Sequence, residues 1–254
     1  MSVKLSFEDG SKLKGIFDAI SIVNEEVDFK LDDKGLTVRQ MDKERVAMVD
    51  LFMKKEMFSE YDMAGQASEV FTVDIQNFQK MKLKAAPVTL TFNIKTSKCQ
   101  MQQDKPFGRT FSIPFQASEL VDVPRVKGEF DTTAKITVET LRELVEDAEL
   151  CSDYLVVDAS KDKIAFSAKG DLQTWASEIP VGNEALLEYS SSKPSKAYFS
   201  LGYIKEIAKE LSSLSETVQL KLKTDFPMLM NLEPKELKDL QLSYVLAPRI
   251  EHEM

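Results

Sequence analysis

The stretch Val27-Asp-Phe-Lys-Leu31-Asp-Asp-Lys-Gly35-Leu-Thr-Val-Arg-Gln40 carries two alternating runs around a turn. Apolar and polar residues alternate over Val27–Leu31, Asp32-Asp-Lys-Gly35 has turn chemistry, and alternation resumes over Leu36–Gln40. That is the pattern of a β-hairpin with one buried face. The second half of the chain answers it. Tyr154-Leu-Val-Val157, a Ser160-Lys-Asp-Lys163 turn and Ile164-Ala-Phe-Ser167 spell another hairpin, and the turn exit at Gly35-Leu36 is matched by Lys163-Ile164.

Working outward, four segments have helical periodicity. Leu13, Ile16, Phe17 and Ile20 share a stripe after a Gly10-Ser11 start. The second helix is expected from about Asp74 to Lys84, with Ile75, Phe78 and Met81 apolar and Ala85-Ala86-Pro87 as its stop. A third, Val138 to Cys151, aligns Val138, Leu141, Leu144, Val145 and Ala148. A fourth, about Ser200 to Leu214, aligns Leu201, Ile204, Ile207, Ala208 and Leu211. Further strands are expected at Arg45–Met53, Val88–Ile94, Cys99–Gln103, Arg109–Phe115, Leu172–Ile179, Val218–Leu222, Phe226–Leu232 and Leu240–Leu246. The first and third helices, and the second and fourth, are each separated by roughly 127 residues, half the chain. The strand around Met101 is answered by that around Met228. The reading is α+β: two domains of one topology, each with two helices on one face of an antiparallel sheet. The expected division is 1–117, a connecting loop at 118–128, and 129–254; the loop holds Ser118-Glu-Leu-Val-Asp-Val-Pro-Arg125.

Composition narrows the function. Hydrophobic residues make up 43% and charged residues 30% of the 254 residues. No run approaches the roughly 18 apolar residues of a membrane helix, and the N-terminal ten residues read as a strand and turn rather than a signal peptide. Cys99 and Cys151 offer no disulfide framework and are expected as buried thiols in a reducing cytoplasm. The single histidine, His252, stands in a terminal tail, where a solvated side chain is the ordinary case. Nucleotide-binding glycine loops, a GxSxG elbow and CxxC pairs are all missing. Asp32-Asp33 and Glu146-Asp147 read as turns or solvated faces. A metal-dependent α+β enzyme would need clustered carboxylates at strand ends, so a non-catalytic protein without metal or cofactor is expected. The net charge of −9 repels nucleic acid unless the charge is segregated.

Gly35-Leu-Thr-Val-Arg-Gln-Met-Asp-Lys-Glu-Arg-Val-Ala-Met-Val-Asp-Leu51 resembles the first-domain signature of the proliferating cell nuclear antigen family. Phe58-Ser-Glu-Tyr61 fits the family's next segment, and Tyr244-Val-Leu-Ala-Pro-Arg-Ile-Glu251 resembles the family's C-terminal motif in an archaeal form. With the repeat, the likeness spans the chain. It implies a ring of three such chains, sheets outside and helices lining the hole, that encircles duplex DNA without reading its sequence. Such a ring tethers DNA polymerase, flap endonuclease and ligase through PIP-box peptides, is opened by a clamp loader, and works in the cytoplasm at the nucleoid, or in the nucleus of a eukaryote. A subunit that assembles only with paralogues is the alternative.

By that resemblance the DNA-facing cations are Lys12, Lys14, Lys80, Lys82, Lys84, Arg142, Lys205 and Lys209. Lysine suits a sliding contact, as a flexible point charge on phosphate. The third helix departs from the family in setting Arg142 against five acids, and Gly15, Ser21 and Gly202 stand where many relatives carry a base, so the hole is expected to be less positive than usual. The subunit interface is expected to pair Arg109, Phe111, Ile113 and Phe115 of one chain with Leu172, Thr174, Ala176 and Glu178 of the next. The peptide pocket is expected to use Met41, Arg45, Val46 and Met48 from the signature, Val121, Val123 and Pro124 from the loop, Pro227, and Val245, Ala247, Pro248 and Ile250 from the tail.

Overall fold

In the computed structural model, which describes residues 2–118, 123, 125–126, 128–234 and 236–249, the chain divides into two units. Unit one is Met1–Met41, Val49–Val123 and Glu236–Leu242; unit two is Asp42–Met48, Pro124–Lys235 and Ser243–Met254. Val121, Pro124, Ile250 and His252, named above, lie outside the described residues.

In unit one, alternation makes β1 (Ser2–Phe7), which buries Val3, Leu5 and Phe7. Asp9 then caps α1 (Gly10–Ile20), accepting from the backbone N–H of Ser11 at 2.9 Å and Lys12 at 3.4 Å. This satisfies amides that have no partner within the first turn. The quoted hairpin is β2 (Glu26–Asp32) and β3 (Gly35–Met41), with Leu31 opposite Leu36. The unit continues with β4 (Ala47–Lys54), β5 (Glu60–Asp62), β6 (Ser68–Asp74), α2 (Ile75–Gln79), β7 (Val88–Asn93), β8 (Lys98–Gln103) and β9 (Arg109–Ala117). Their order in the sheet is β4-β3-β2-β6-β9-β8-β7-β1-β5.

Unit two repeats the plan with β10 (Thr132–Thr137), α3 (Val138–Glu149), β11 (Tyr154–Ala159), β12 (Lys163–Lys169), β13 (Thr174–Pro180), β14 (Leu186–Ser191), β15 (Ser195–Ser200), α4 (Leu201–Leu211), β16 (Thr217–Leu222), β17 (Met228–Leu232) and β18 (Leu240–Leu246). Its strands run β14-β10-β16-β17-β18 and β13-β12-β11-β15. Both units read strand, helix, five strands, helix, three strands. Equivalent strands make equivalent antiparallel pairs: β1 with β5 and β7 as β10 with β14 and β16, and β2 with β3 and β6 as β11 with β12 and β15. The expected two-domain α+β fold of one repeated topology is the fold observed.

The cores are filled differently. Unit one clusters aromatics: Phe17 meets Phe78 edge-on at 4.9 Å, Phe71 stacks on Phe92 at 4.8 Å, and Phe71 lies tilted against Phe115 at 4.7 Å between ring centroids. Unit two buries aliphatic residues at the same helix positions, among them Leu141, Leu144, Ile204 and Ile207. Cores tolerate such exchange when volume and pattern are kept, which is why one topology carries two dissimilar sequences.

Several expectations need correction. The second helix stops at Gln79; beyond it Lys80, Lys82 and Lys84 are exposed while Met81 and Leu83 are buried, so a period of two replaces the helical one. Strand β4 begins at Ala47, because Arg45 takes a φ of 59° in a turn. Strand β13 begins at Thr174, leaving Leu172 in the preceding turn, 97% exposed. Cys99 is buried but Cys151 is only half-buried. Strands β5, β6, β10, β14 and β15 lie outside the strands expected from the sequence. Ser68–Asp74 and Thr132–Thr137 alternate, but with Thr and Ser diluting the apolar signal.

Candidate functional site

The lysine strip is built by one buried amide. Gln103, 2% exposed at the end of β8, accepts from the Lys84 backbone N–H at 3.1 Å. Its Nε2 donates to the carbonyls of Lys84 at 3.0 Å and Ala86 at 2.9 Å. Arg109 on β9 donates to Gln103 Oε1 at 2.5 Å and to the Lys82 carbonyl at 3.3 Å. Gly10 lets α1 approach: a Cβ there would stand 2.7 Å from Gln103 Nε2 and 2.9 Å from the Lys84 carbonyl. An irregular segment is thus held extended, its odd residues inward and Lys80, Lys82 and Lys84 outward. None of these three makes an ion pair with a described residue, and α2 itself carries no charge.

The other candidate cations are all paired. Lys14 holds Asp18 at 2.6 Å, and Lys12 holds Glu236 at 2.7 Å. Lys12 also lines a cleft of about 460 Å³ between the β1–α1 turn, the 56–59 turn and residues 236–239, floored by Phe7 and Phe58; nothing in the sequence pattern announced it. Arg142 lies between Glu139 at 3.2 Å and Glu146 at 3.6 Å. Lys205 binds Glu149 at 2.7 Å, and Lys209 binds Glu210 at 3.2 Å and Glu206 at 3.7 Å. These carboxylates push the ammonium groups of Lys12, Lys205 and Lys209 above the ordinary lysine value. In unit two the helices set Arg142, Lys205 and Lys209 against Glu139, Glu143, Glu146, Asp147, Glu149, Glu206 and Glu210. The unpaired cationic surface of unit one is therefore its lysine strip, while the helices of unit two are net anionic.

Among the described residues the strand orders end at β5, β13, β14 and β15, and β9 is open along part of its length. Strand β13 pairs with β12 alone among the described residues. Strand β9 pairs with β8 along Arg109–Pro114, while β6 meets it only at Phe115–Ala117. Ile113 and Phe115 point into their own core at 3% and 4% exposure, so only their backbone is available to a neighbour. Phe111 is half-buried, and Thr174, Ala176 and Glu178 are exposed.

The candidate pocket residues fall in both units. Met41 and Val123, each half-buried, belong to unit one; Arg45, Val46, Met48, Pro227, Val245, Ala247 and Pro248 belong to unit two. Within unit two the Val46 carbonyl accepts from the Ala247 N–H at 2.8 Å, which joins the signature turn to the C-terminal strand. Beyond it, the Arg249 N–H donates to the Tyr198 carbonyl at 2.7 Å, and the Arg249 guanidinium bonds Asp153 at 3.0 Å. Met48 and Val245, 4% and 7% exposed, form the support beneath rather than the surface. The turn itself is held by buried Asp42, which the sequence pattern did not single out.

The family profile of the proliferating cell nuclear antigen N-terminal domain matches residues 2–102, and that of its C-terminal domain matches residues 125–250. The chain belongs to the proliferating cell nuclear antigen family. Among its curated relatives, the DNA polymerase sliding clamp of Thermococcus sibiricus is 25% identical over 99% of this chain and 100% of its own length. That of Nanoarchaeum equitans is 28% identical over 97% and 99%. Among solved structures, proliferating cell nuclear antigen from Thermococcus kodakaraensis superposes with a TM-score of 0.88 at 18% identity, covering 97% of this chain and all of that one. A chain of the PCNA2–PCNA3 complex from Sulfolobus tokodaii gives 0.85 at 21%, covering 98% and all of that one. At these identities the structural likeness speaks for the fold alone.

Proposed function

We propose that this chain is a DNA sliding clamp subunit, which closes head-to-tail with copies of itself into a ring around duplex DNA and carries partner enzymes bound through PIP-box peptides. Support comes from the family, whose relatives bear that name, and from one observation above others: the open part of β9 and the open edge of β13 are flanked by opposite charge. Lys82, Lys84 and Arg109 stand beside the open part of β9. Glu143, Glu146 and Asp147 stand on α3, which packs on β13. A strand edge seeks a partner, and a heterologous contact that closes makes a ring. Complementary flanks favour joining one copy's β9 to the next copy's β13 and disfavour like edges meeting. That argues for identical copies over the alternative of paralogues.

DNA contact in this reading falls chiefly on Lys80, Lys82 and Lys84, with Lys12, Lys14, Arg142, Lys205 and Lys209 largely neutralised by their own acids. The partner site is the unit-two surface of Arg45, Val46, Pro227, Ala247 and Pro248. The proposed domain limits are 1–117 and 129–254, joined by 118–128, and the protein is proposed to act without catalysis of its own. Light scattering on the purified chain tests the assembly: three chain masses at low salt, falling toward one as salt rises, support it. A monomer at every salt concentration that trimerises only with a paralogue supports the other arrangement.

A further inference from the structure

We infer that Tyr203 is a positioning residue for partner binding, because it straps the Asp42–Ala47 turn to helix α4; the inference rests on the reading of the unit-two surface as the peptide site. Asp42 is 6% exposed and engages both carboxylate oxygens. Its Oδ1 accepts from the backbone N–H of Val46 at 2.8 Å and Ala47 at 2.9 Å, and its Oδ2 accepts the hydroxyl of Tyr203. The Asp42 N–H donates to the Ala47 carbonyl at 3.0 Å, and the Arg45 N–H to the Asp42 carbonyl at 3.2 Å.

This closed turn places Arg45 at a φ of 59°, a region side chains seldom occupy without surrounding support. The Asp42 carboxylate supplies that support, and Tyr203 fixes the carboxylate. The far side of the turn then holds the C-terminal strand through the Val46 carbonyl and the Ala247 N–H at 2.8 Å. The path from α4 to the proposed site is therefore a chain of four groups: the Tyr203 hydroxyl, the Asp42 carboxylate, the Val46 backbone and the Ala247 amide. Burial, and next the hydrogen bond to Asp42, push the Tyr203 phenol up, so the hydroxyl stays a donor across the working pH range.

Removing the hydroxyl leaves Asp42 Oδ2 buried without its donor, a loss felt by the turn rather than by the hydrophobic contacts of α4. The test uses the full chain with the conservative variants Tyr203→Phe and Asp42→Asn. A fluorescein-labelled PIP-box peptide reports binding by anisotropy, and amide hydrogen exchange reports Val46, Ala47 and Ala247. The expected result for Tyr203→Phe is an affinity about five- to tenfold weaker, scaled to the net worth of one ordinary hydrogen bond, with faster exchange confined to those three amides and unchanged assembly mass. Asp42→Asn, which keeps an acceptor for the turn amides, loses less. Wild-type affinity in Tyr203→Phe, or acceleration spread evenly over both units, overturns the inference. Should the wild-type chain bind no peptide, the site reading has failed, and the strap is judged by exchange alone: confined acceleration upholds it, unchanged exchange overturns it.

Discussion

Lys205 of α4 and Glu149 of α3 are bound Nζ to Oε1 and Oε2 at 2.7 Å each. Both are exposed, so the pair adds little to stability, but it cancels a charge that the family likeness assigns to DNA. Replacing Lys205 with alanine is expected to leave DNA affinity within about twofold. Replacing Lys80, Lys82 and Lys84 with alanine should lower the slope of log affinity against log salt by up to about 2.7, at roughly 0.9 per phosphate contact. Anisotropy of labelled duplex DNA over a salt series checks both, with assembly mass measured first because Lys82 and Lys84 also flank the β9 edge.

The acids of α3 carry the converse prediction. Glu146→Gln with Glu149→Gln frees Lys205 from Glu149 and leaves Arg142 with Glu139 alone. The double variant should bind duplex DNA several-fold more tightly and show a steeper salt slope than wild type. An unchanged slope would mean that the α3–α4 surface does not meet phosphate.

Gln103 orders the lysine strip. Gln103→Leu leaves the Lys84 N–H without its partner and takes one donor from each of the Lys84 and Ala86 carbonyls, which keep the Ala86 and Gly10 N–H groups. The expected loss is about 1–3 kcal/mol, the cost of one buried group left unsatisfied. Urea denaturation measures it, and limited proteolysis should cut first within residues 80–87.

Gly35 opens β3 at a φ of +149°, and a Cβ there would stand 2.0 Å from the Met53 carbonyl oxygen. Gly35→Ala is therefore expected to cost about 2–4 kcal/mol, through backbone strain and a clash with main chain that cannot swing aside. A drop in urea midpoint with unchanged m-value is the expected signature.

Asp9 makes stability depend on acid. Partial burial pushes its carboxyl up, but the hydroxyl of Ser11 and the backbone N–H groups of Lys12 and Ser11 outweigh that and hold it below the ordinary 3.8. A lowered folded value contributes stability that is full above 3.8 and lost as pH falls through the folded value. Asp9→Ala should cost about 1 kcal/mol at neutral pH, as a lost helix cap, and the gap to wild type should narrow below pH 3.8.

The repeat was legible because hairpins and helix stripes announce themselves by period, as Val27–Gln40 and Leu201–Leu211 do. The lysine strip was found by residue type but placed on the wrong element: Ile75, Phe78 and Met81 fit a helix, while Met81 and Leu83 fit the strand-like spacing that prevails. Gln103 decides that contest from nineteen positions away, and local pattern cannot report it. The neutralising partners were hidden for the same reason. Lys205 meets Glu149 across 56 positions and Tyr203 meets Asp42 across 161, distances at which a sequence shows which charges exist but not which ones cancel.

The most direct measurement of the proposed clamp is retention on DNA of different topology. The protein is loaded by a clamp loader onto a nicked circular duplex, freed of unbound chains by gel filtration in moderate salt, and the DNA is then cut once. A clamp co-elutes stably with the circle and is released by sliding off the ends after cutting. Equal retention before and after linearisation, or no retention on the circle, would contradict it.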